Sequence, residues 1–329
     1  MTSIHDVAAL AQVSIKTVSR VVNKAPNVSA SLRERVETAI QTLGYRPNQS
    51  ARRLAGGRSF MIAYLYNNPA PGYTSAIQAG AAERCRDLGY HLVVEPISPG
   101  GEERFDVLDR LVAALRPDGV LLVPPLSDDE PLLARLAQLG LPCARIAGSV
   151  AAVSYNLPTP ERAAGRMVAD HLIAHGHRRI GVITPPLSHR AALRRVEGFR
   201  DGLHIAEVPV DEALFVRGAF DFTSGIAAAE ALLALPNPPS AIFATNDDMA
   251  LGVLTLAHRT GLRVPEDLSV VGFDDTRASL TSWPPLTTVR QPLADMGRSV
   301  VDALVNGPVE APEFLFTLVE RGSCGPAPT

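Results

Sequence analysis

The sequence has few cysteines, few aromatic residues and no long apolar run. Its three cysteines are odd in number and far apart, which favours neither a disulfide framework nor a metal cluster. No stretch of about 18 apolar residues is present, so we expect no membrane-spanning helix. The N-terminus has an early acid, Asp6, and neither a basic start nor a small-residue cleavage site. We therefore expect no signal peptide and a cytoplasmic protein.

Net charge is also small, but it is unevenly distributed. The formal charge is −3 over 329 residues. Residues 1–58 hold nine basic and three acidic side chains, whereas the remainder of the chain has an acidic excess. A small basic segment on an acidic body is typical of a protein that binds nucleic acid through that segment alone. With 46% hydrophobic residues, the chain is long enough for two or three domains with apolar cores.

The first 45 residues predict a helix-turn-helix domain. Apolar residues recur at helical spacing, which predicts helices over 4–11, 15–23 and 31–43. Ser14 is a suitable N-cap for the second helix, and Ser29 or Ser31 for the third. Two short helices joined by a tight turn and followed by a longer helix make up this motif.

From residue 60 onward, apolar runs alternate with amphipathic stretches. The apolar runs predict strands over 61–66, 91–97, 119–125, 179–184, 240–245 and 268–274. The amphipathic stretches predict helices over 74–88, 103–115, 129–139, 161–176, 191–203, 223–234 and 248–260. This alternation indicates parallel sheets covered by helices, as in two similar lobes or one (β/α)₈ barrel. Proline-containing stretches at 158–160 and 283–288 look like crossings between lobes and favour the two-lobe arrangement.

The second helix of the predicted helix-turn-helix carries exposed basic chemistry. In this motif the second helix lies in the major groove with its first residues against base edges. Ile15 is placed to contact a thymine methyl group and Lys16 to contact guanine acceptors, with Arg20 one turn further on the same face. Phosphate contacts suit the short polar residues Ser14, Thr17, Ser19 and Asn23. The alternative is a solvated three-helix bundle with incidental charge, yet no acid lies between Asp6 and Glu34.

Residues 1–58 contain the motifs D-V-A-x-x-A, V-S-x-x-T-V-S-R-V-x-N, V-S at 28–29, G-Y-x-P-N at 44–48 and A-R-x-L at 51–54. With these motifs the segment strongly resembles the DNA-binding head of the LacI/GalR family of bacterial transcriptional regulators. The body resembles the same family in the order of HLIAHGHRRIGVI, R-x-x-G-F, ATNDDMALG, LSVVGFDDT and PPLTTVRQP. One departure is Gln12, where the family usually has glycine in the turn; a left-handed backbone there would carry a modest strain cost.

The resemblance implies an all-α helix-turn-helix head on an α/β body of two Rossmann-like lobes, similar to periplasmic binding proteins. We assign 1–46 to the DNA-binding domain and 47–58 to a hinge helix or linker. We assign 59–157 and 288–317 to the N-terminal lobe, and 158–287 and 318–329 to the C-terminal lobe.

The linker gains a role from the same resemblance. In this family the segment matching 49–56 becomes a helix on DNA and paired leucines insert into the minor groove, a position that Leu54 matches. The alternative is a flexible tether with an incidental leucine. The complete predicted DNA-binding set is Ser14, Ile15, Lys16, Thr17, Ser19, Arg20, Asn23, Asn27, Ser29, Asn48, Arg52 and Leu54.

Polar residues follow two of the predicted strands in the body. Parallel α/β bodies bind ligands at the carboxyl ends of their strands, where Asn246 and Asp274 lie. The resemblance implies that these two residues bind ligand hydroxyl groups, that Arg195 contacts the ligand and that Phe220 stacks on it. The residues alone also permit Asn246 and Asp275 as helix caps, Arg195 in a surface ion pair and Phe220 in the core.

The first lobe offers weaker candidates. Tyr66 ends the first predicted strand and Tyr73 follows in the next loop, where each suits either a polyol contact or a turn. Trp283 is expected to pack in a lobe crossing rather than to stack on a sugar. The family's usual acidic position near the second-lobe entry reads Ser154-Tyr155-Asn156, which weakens the sugar-like pattern on this side.

Neither a metal site nor an enzyme is predicted. His171 and His175 share a helix face at the spacing that two zinc ligands can have, but no cysteine or carboxylate cluster completes the site in sequence. His177 follows Gly176 and is expected to help cap the helix. No P-loop, G-x-S-x-G or H-E-x-x-H motif is present, so an enzyme would have no recognisable nucleophile or general base.

The sequence thus predicts a homodimeric transcriptional repressor that binds a pseudopalindromic operator and is controlled by a small ligand between its lobes, a sugar or sugar phosphate, without a cofactor. Such a protein would associate with the nucleoid through DNA. A periplasmic sugar receptor shares this kind of body, but it would have a signal peptide and no basic head. A small-molecule hydrolase or isomerase would have to convert the ligand in its cleft.

Overall fold

The computed structural model describes residues 2–22, 27–45, 58–67, 70–98, 100–152, 154–307 and 310–328. The chain divides into two compact units, Met1–Phe60 and Met61–Thr329. No helix in the described ranges is both long and apolar enough to cross a membrane.

The first unit contains the three predicted helices, α1 (Ile4–Leu10), α2 (Ile15–Val22) and α3 (Ala30–Leu43). Ser3 and Asp6 form a capping box at the start of α1, which satisfies backbone N–H groups there. Small and β-branched side chains bring the helices close together around one core, made of Val7, Ala8, Ala11, Val18, Val21, Val36, Ala39 and Tyr45.

The turn between α1 and α2 is held by specific contacts. Gln12 lies in the left-handed region with φ 52°, as the glycine usual at this position would. The Arg35 guanidinium of α3 donates to the Ala11 carbonyl oxygen at 2.6 Å, which anchors the turn. Ser14 caps α2 as predicted, because its Oγ accepts from the Thr17 N–H at 3.2 Å.

A five-stranded parallel sheet forms the first half of the body. Its order is β2-β1-β3-β4-β5. The strands are β1 (Met61–Tyr66), β2 (His91–Pro96), β3 (Gly119–Leu122), β4 (Cys143–Ile146) and β5 (Tyr155–Leu157). The helices between them are α4 (Pro71–Asp87), α5 (Glu103–Leu115) and α6 (Glu130–Gln138). The sequence pattern missed β4 and β5, because Arg145 and Asn156 interrupt their short apolar runs.

A four-stranded parallel sheet forms the second half, in the order β7-β6-β8-β9. Its strands are β6 (Ile180–Thr184), β7 (Phe215–Arg217), β8 (Ala241–Ala244) and β9 (Ser269–Val271). Its helices are α7 (Glu161–Ala174), α8 (Arg190–Ile205), α9 (Phe222–Leu233) and α10 (Asp247–Thr260). Two separate sheets confirm the two-lobe arrangement, and the barrel alternative is wrong.

The last part of the body contains α11 (Arg277–Thr281), β10 (Thr288–Arg290), α12 (Leu293–Asn306) and β11 (Thr317–Val319), none of them predicted. Strands β10 and β11 pair in antiparallel fashion. Helix α12 packs on α4 beside the first sheet, whereas residues after β11 return to the second, where the Val270 N–H donates to the Ser323 carbonyl at 2.7 Å. The chain therefore passes between the two sheets more than once, and the predicted lobe boundaries stay a prediction.

One expectation about this region is wrong. Trp283 does not pack in a lobe crossing, because 89% of its surface is exposed. Leu280 in the neighbouring α11 is also 58% exposed. These two large apolar residues leave an uncovered surface on the second half of the body.

Candidate functional site

Helix α2 presents the predicted base-reading residues to solvent. Lys16 and Arg20 are exposed, and Ile15 is 42% exposed although it is a large apolar residue. Val18 and Val21, on the opposite face, are buried in the core of the head. The amphipathic division of α2 therefore leaves the basic face available for contact with a partner.

The shorter polar residues of the predicted set lie around this helix. Ser14 and Thr17 have hydroxyl oxygens 3.0 Å apart, Ser19 is half-buried, and Asn27 and Ser29 are exposed. Ser29 occupies the N-cap position of α3, as one of the two predicted candidates, but its side chain forms no capping hydrogen bond. The structure does not describe four residues of the predicted DNA-binding set, Asn23, Asn48, Arg52 and Leu54. The predicted hinge at 47–58 also lies outside the described residues, apart from residue 58.

A cavity of about 380 Å³ lies where both sheets of the body contribute side chains. The wall contains Ala70, Tyr73, Pro124, Glu161, His189, Ala191, Ala192, Arg195, Phe220, Asn246 and Asp274. Five of the six predicted ligand-binding residues are in this set, and the sixth, Tyr66, is not.

A buried ion pair dominates one wall. Arg195 on α8 donates from Nε and Nη2 to one carboxylate oxygen of Glu161, at 3.0 and 2.8 Å, and both side chains are at least 94% buried. Its Nη1 donates to the Thr245 carbonyl oxygen, and the guanidinium carbon lies 3.3 Å from the centroid of the Phe273 ring. The alternative of a surface ion pair for Arg195 is therefore wrong. The positive charge of Arg195 is already balanced by Glu161.

Close helix packing explains why this pair is buried. A Cβ added to Gly165 of α7 would lie 1.8 Å from the Arg195 carbonyl oxygen, and one added to Gly198 of α8 would lie 1.8 Å from the Arg162 carbonyl oxygen. The two helices can therefore approach only with glycine at both positions. This approach places Glu161, the first residue of α7, beside Arg195.

Asp274 lies on another wall and is 94% buried. Its carboxylate accepts from Gln291 Nε2 at 2.6 Å, and its backbone has φ 117°, a conformation that is rare outside glycine. Burial raises the pKa of Asp274 well above its ordinary value, and the negative charges of Asp247 and Glu161 act in the same direction, against Arg195. The carboxyl group is thus buried against the cavity, on a backbone with an unfavourable positive φ.

The neighbouring Asp275 does not cap the following segment as an alternative proposed. Its carboxylate forms ion pairs with Arg321 and, at 2.6 Å, with Arg290. Burial alone would raise the pKa of Asp275, but hydrogen bonds from these two arginines hold it below its ordinary value. Adjacent aspartates therefore have different tasks: one faces the cavity and the other fixes the end of β10.

His189 and Phe220 meet edge to face, with ring centroids 4.7 Å apart. Burial and the nearby Arg195 charge lower the pKa of His189 to about 4, so its imidazole is neutral near pH 7. Its Nε2 is buried and has no hydrogen-bond partner among the described residues. Phe220 is 5% exposed, lines the cavity and has φ 63°, so it is both a core residue and part of the wall.

Asn246 is a helix cap that also lines the cavity. Its side-chain oxygen accepts from the Met249 N–H at the start of α10, and its nitrogen donates to the Phe220 carbonyl oxygen, both at 3.0 Å. These bonds fix the amide and the turn that carries Phe220. The capping interpretation is thus confirmed, and ligand contact by Asn246 stays a prediction.

The two tyrosines of the first lobe separate. Tyr73 on α4 is 92% buried and reaches the cavity, and burial raises its pKa well above the ordinary value. Tyr66 is half-buried at the end of β1, and its ring stacks on Tyr64 with centroids 5.5 Å apart.

Asp247 connects the cavity region to the strand that follows it. One carboxylate oxygen accepts from the Thr288 hydroxyl at 2.6 Å, and the other accepts from the Thr276 N–H at 2.7 Å. Burial raises the pKa of Asp247 to about 7, although these hydrogen bonds act in the opposite direction. Because Thr288 begins β10, the start of α10 is fixed to a segment that joins the two halves of the body.

Sequence reasoning missed Glu161 and His189. Glu161 begins a predicted helix, where an acid has the ordinary explanation of a favourable helix dipole. The segment that corresponds to the family's usual acidic position, 154–156, contains no acid. In the structure the acidic side chain of Glu161 lines the cavity instead. His189 had no motif, and only its buried, unpartnered nitrogen identifies it.

Comparisons with known proteins cover both units. Residues 3–48 match the family model of bacterial regulatory proteins, lacI family, and residues 169–324 match that of the periplasmic binding protein-like domain. The HTH-type transcriptional regulator CelR of Thermobifida fusca is 36% identical over 309 residues, which is 91% of this chain and 90% of CelR.

Solved structures agree with these matches. A lac repressor dimer bound to operator and the anti-inducer ONPF superposes with a TM-score of 0.80 at 33% identity, covering 98% of this chain and 99% of the repressor chain. A CelR–cellobiose complex superposes with a TM-score of 0.73 at 32% identity, covering 98% of this chain and 100% of that chain.

Proposed function

The chain belongs to the lacI family of bacterial regulatory proteins, and we propose that it is a transcriptional repressor that binds operator DNA as a homodimer and responds to a neutral sugar. One observation carries the proposal. A single chain combines an exposed basic helix in a helix-turn-helix with a cavity whose wall comes from both sheets of a binding-protein-like body.

DNA recognition is assigned to α2. Lys16 and Arg20 project from one exposed face at i,i+4 spacing, as base-reading residues of a recognition helix do. The exposed Ile15 supplies an apolar contact for a thymine methyl group. One such helix contacts one half-site, so a two-fold dimer on a pseudopalindromic operator doubles the contacts.

The ligand is proposed to be an uncharged polyhydroxy molecule rather than a sugar phosphate. Glu161 already balances the Arg195 charge, and His189 is neutral near pH 7, so no cation in the described wall is left to balance a phosphate. Carboxyl oxygens and the Nε2 of His189 suit hydroxyl groups, and Phe220 and Tyr73 supply apolar surface. The CelR–cellobiose complex is consistent with a ligand of this class.

Control by the ligand is proposed to act through closure of the two lobes. A ligand shifts a conformational equilibrium only through its different affinities for the two states. Tyr73 and Pro124 from the first sheet and Arg195 and Asp274 from the second surround the same cavity, so a bound ligand would contact both lobes at once. The bond from Thr288 to Asp247 links this region to β10, which lies between the sheets.

The dimer contact is proposed to include the uncovered surface at Trp283 and Leu280. Large exposed apolar patches on soluble proteins mark interaction sites. The residues beside Trp283 include Leu254, Leu262 and Val264, which form a shallow depression next to it. The lac repressor structure is described as a dimer, which supports a second copy as the occupant.

The DNA-binding part is tested on genomic fragments from around the protein's own gene at two salt concentrations. We expect one fragment to bind specifically and with a steep salt dependence. Lys16→Ala and Arg20→Ala should abolish the preference for that fragment, whereas Arg110→Ala, an exposed arginine on α5, should not. Equal binding of all fragments by the wild-type protein would contradict the assignment.

The ligand part is tested with a panel of neutral mono- and disaccharides and their phosphorylated counterparts, by calorimetry and by release of the specific DNA fragment. We expect binding and altered DNA affinity with a neutral sugar only. Preferential binding of a phosphate would contradict the charge argument. Chemical conversion of the sugar during incubation would instead favour the enzyme alternative.

The dimer part is tested by analytical ultracentrifugation. Trp283→Ser should shift the protein toward monomer. Ile205→Ser, which removes an exposed apolar side chain at the end of α8, should not. An unchanged dimer in the Trp283 variant would place the contact on another surface.

A further inference from the structure

Three metal-ligating side chains meet at the C-terminal end of α7. His171 lies in the last turn of this helix, His175 is its C-cap, and Cys324 comes from the segment after β11. One ring nitrogen of each histidine and the Sγ of Cys324 lie within 4.8 Å of one another. None of these residues lines the cavity, and the proposed function does not use them.

One histidine nitrogen of the cluster is buried without a partner. The His171 side chain is 92% buried, yet its Nε2 has no hydrogen-bond partner among the described residues. Buried polar atoms are rarely left unpaired, because losing a hydrogen bond to water without replacement costs about 1–3 kcal/mol. An unpartnered, buried imidazole nitrogen beside a thiol therefore indicates a missing partner.

The other nitrogens have the contacts expected of an outer shell. His175 Nδ1 lies 2.9 Å from the His171 carbonyl oxygen, and a proton donated there leaves Nε2 as the lone-pair nitrogen. His171 Nδ1 lies 3.8 Å from a carboxylate oxygen of Glu320, whose side chain is 70% exposed and can close the remaining gap. A backbone carbonyl and a carboxylate are the usual second partners of metal-bound histidines.

Packing alone does not account for the cluster. The two rings lie 4.4 Å apart and are tilted by 52°, so they make an ordinary ring contact. That contact explains their proximity, but it leaves the Nε2 of His171 without a partner among the described residues.

We propose that His171 Nε2, His175 Nε2 and the Sγ of Cys324 bind one Zn²⁺ ion, with water as the fourth ligand and Glu320 hydrogen-bonded to His171. Two imidazoles and a thiolate suit zinc, whereas Mg²⁺ and Ca²⁺ require oxygen ligands. Zinc bonds of about 2.0–2.3 Å place tetrahedral ligand atoms roughly 3.4–3.8 Å apart, so small side-chain rotations complete the site. Binding releases the Cys324 thiol proton to solvent.

The ion would cross-link α7 to the C-terminal segment. That segment is also held by hydrogen bonds, including the Val270 N–H to the Ser323 carbonyl at 2.7 Å, the Ala327 N–H to the His175 carbonyl at 2.8 Å and the Thr287 N–H to the Ser323 Oγ at 2.8 Å. Because the segment follows directly on β11, which pairs with β10, the ion would fix the chain where it leaves the strands between the two sheets. Binding only to the folded body would raise its Tm.

The test uses the full-length protein, freed of tags and treated with a chelator, and titrates it with Co²⁺ and then Zn²⁺. We expect one ion per chain, a cobalt–thiolate charge-transfer band that Zn²⁺ abolishes, and a Tm increase on the order of 5 °C in excess Zn²⁺. Cys324→Ser should remove the band, and His171→Gln should weaken binding at least about 10-fold. His204→Gln, an exposed histidine on α8, is the matched control and should bind normally.

Glu320→Gln tests the outer contact separately. It should weaken Zn²⁺ binding about 10-fold while leaving the cobalt–thiolate band in place, because Glu320 orients a ligand without being one. Loss of the band in this variant would make Glu320 a direct ligand and overturn the proposed coordination.

A measurement on the unaltered protein removes dependence on variants that fold poorly. Zn²⁺ should slow alkylation of Cys324, detected by mass spectrometry of its peptide, and leave the buried Cys85 and Cys143 as internal references. Substoichiometric binding, absence of a thiolate band or unprotected Cys324 would each overturn the zinc site.

Discussion

The two halves of the body contribute unequally to the cavity. The first sheet and its helices supply Ala70, Tyr73 and Pro124, of which only Tyr73 has a polar side chain. The second sheet supplies the Glu161–Arg195 pair, His189, Phe220, Asn246 and Asp274. One half is therefore a prearranged polar surface whose groups are held by buried hydrogen bonds, and the other is a mostly apolar cover.

This difference assigns separate tasks to the halves. A polar surface that is fixed before binding costs little to organise when the ligand arrives. An apolar cover can move without breaking many polar contacts. We infer that the second half determines which ligand binds and that the first half reports binding by closing over it.

The largest expected effect comes from breaking the buried pair. Arg195→Met should destabilise the body by about 3–5 kcal/mol, because it leaves the Glu161 carboxylate buried without its partner. The matched change on the first half is Arg135→Met, which breaks a solvent-exposed pair with Asp109 and should cost no more than about 1 kcal/mol. Urea unfolding of both variants measures the contrast. Equal losses would show that the second half is not more tightly organised.

The next effect is a pH dependence that only the second half should show. The pKa of His189 is lowered to about 4 in the folded protein, from an ordinary value of about 6.5 that applies to the unfolded chain. Between these two pH values the unfolded chain binds the proton and the folded protein does not, so protonation favours unfolding. Stability should fall over that window by roughly 2–3 kcal/mol through His189. His189→Gln should remove this part of the loss, and His204→Gln, on an exposed position, should leave it. An identical pH profile in both variants would contradict the assignment.

A comparable strain can be introduced in either half with one methyl group. A Cβ at Gly198 would lie 1.8 Å from the Arg162 carbonyl, and one at Gly80 would lie 1.9 Å from the Ala294 carbonyl. Gly198→Ala and Gly80→Ala should each cost about 1–3 kcal/mol of stability. Only Gly198→Ala separates the helices that carry Glu161 and Arg195, so only it should also weaken sugar binding strongly. Calorimetry of the folded variants distinguishes these outcomes.

The smallest effect concerns the cover. Tyr73→Phe keeps the ring and removes the only hydroxyl among the described cavity residues of the first half. We expect nearly unchanged stability and a loss of sugar affinity of about 0.5–1.5 kcal/mol, up to roughly 10-fold. A loss of 100-fold or more would mean that the first half also selects the ligand.

The head and much of the body could be predicted from the sequence because their signals are local. Helix periodicity, the Ser14 cap and the basic face of α2 all lie within a few turns of one another. The same holds for the long apolar strands and for Asn246 as a cap. By contrast, the short strands β4, β5, β7, β10 and β11 each contain a polar or charged residue that interrupts the apolar run, and neither they nor α12 were predicted.

The sequence by itself determined the order of the elements, the division into a basic head and an α/β body, and five of the predicted ligand-binding residues in the cavity wall. Only the tertiary structure decided which side chains meet. It paired Glu161 with Arg195 through the glycine contact of α7 and α8, left Trp283 exposed, and brought Cys324 to His171 and His175. The physical reason is that periodicity and capping act between near neighbours, whereas burial, ion pairing and metal ligation depend on distances between residues far apart in the chain.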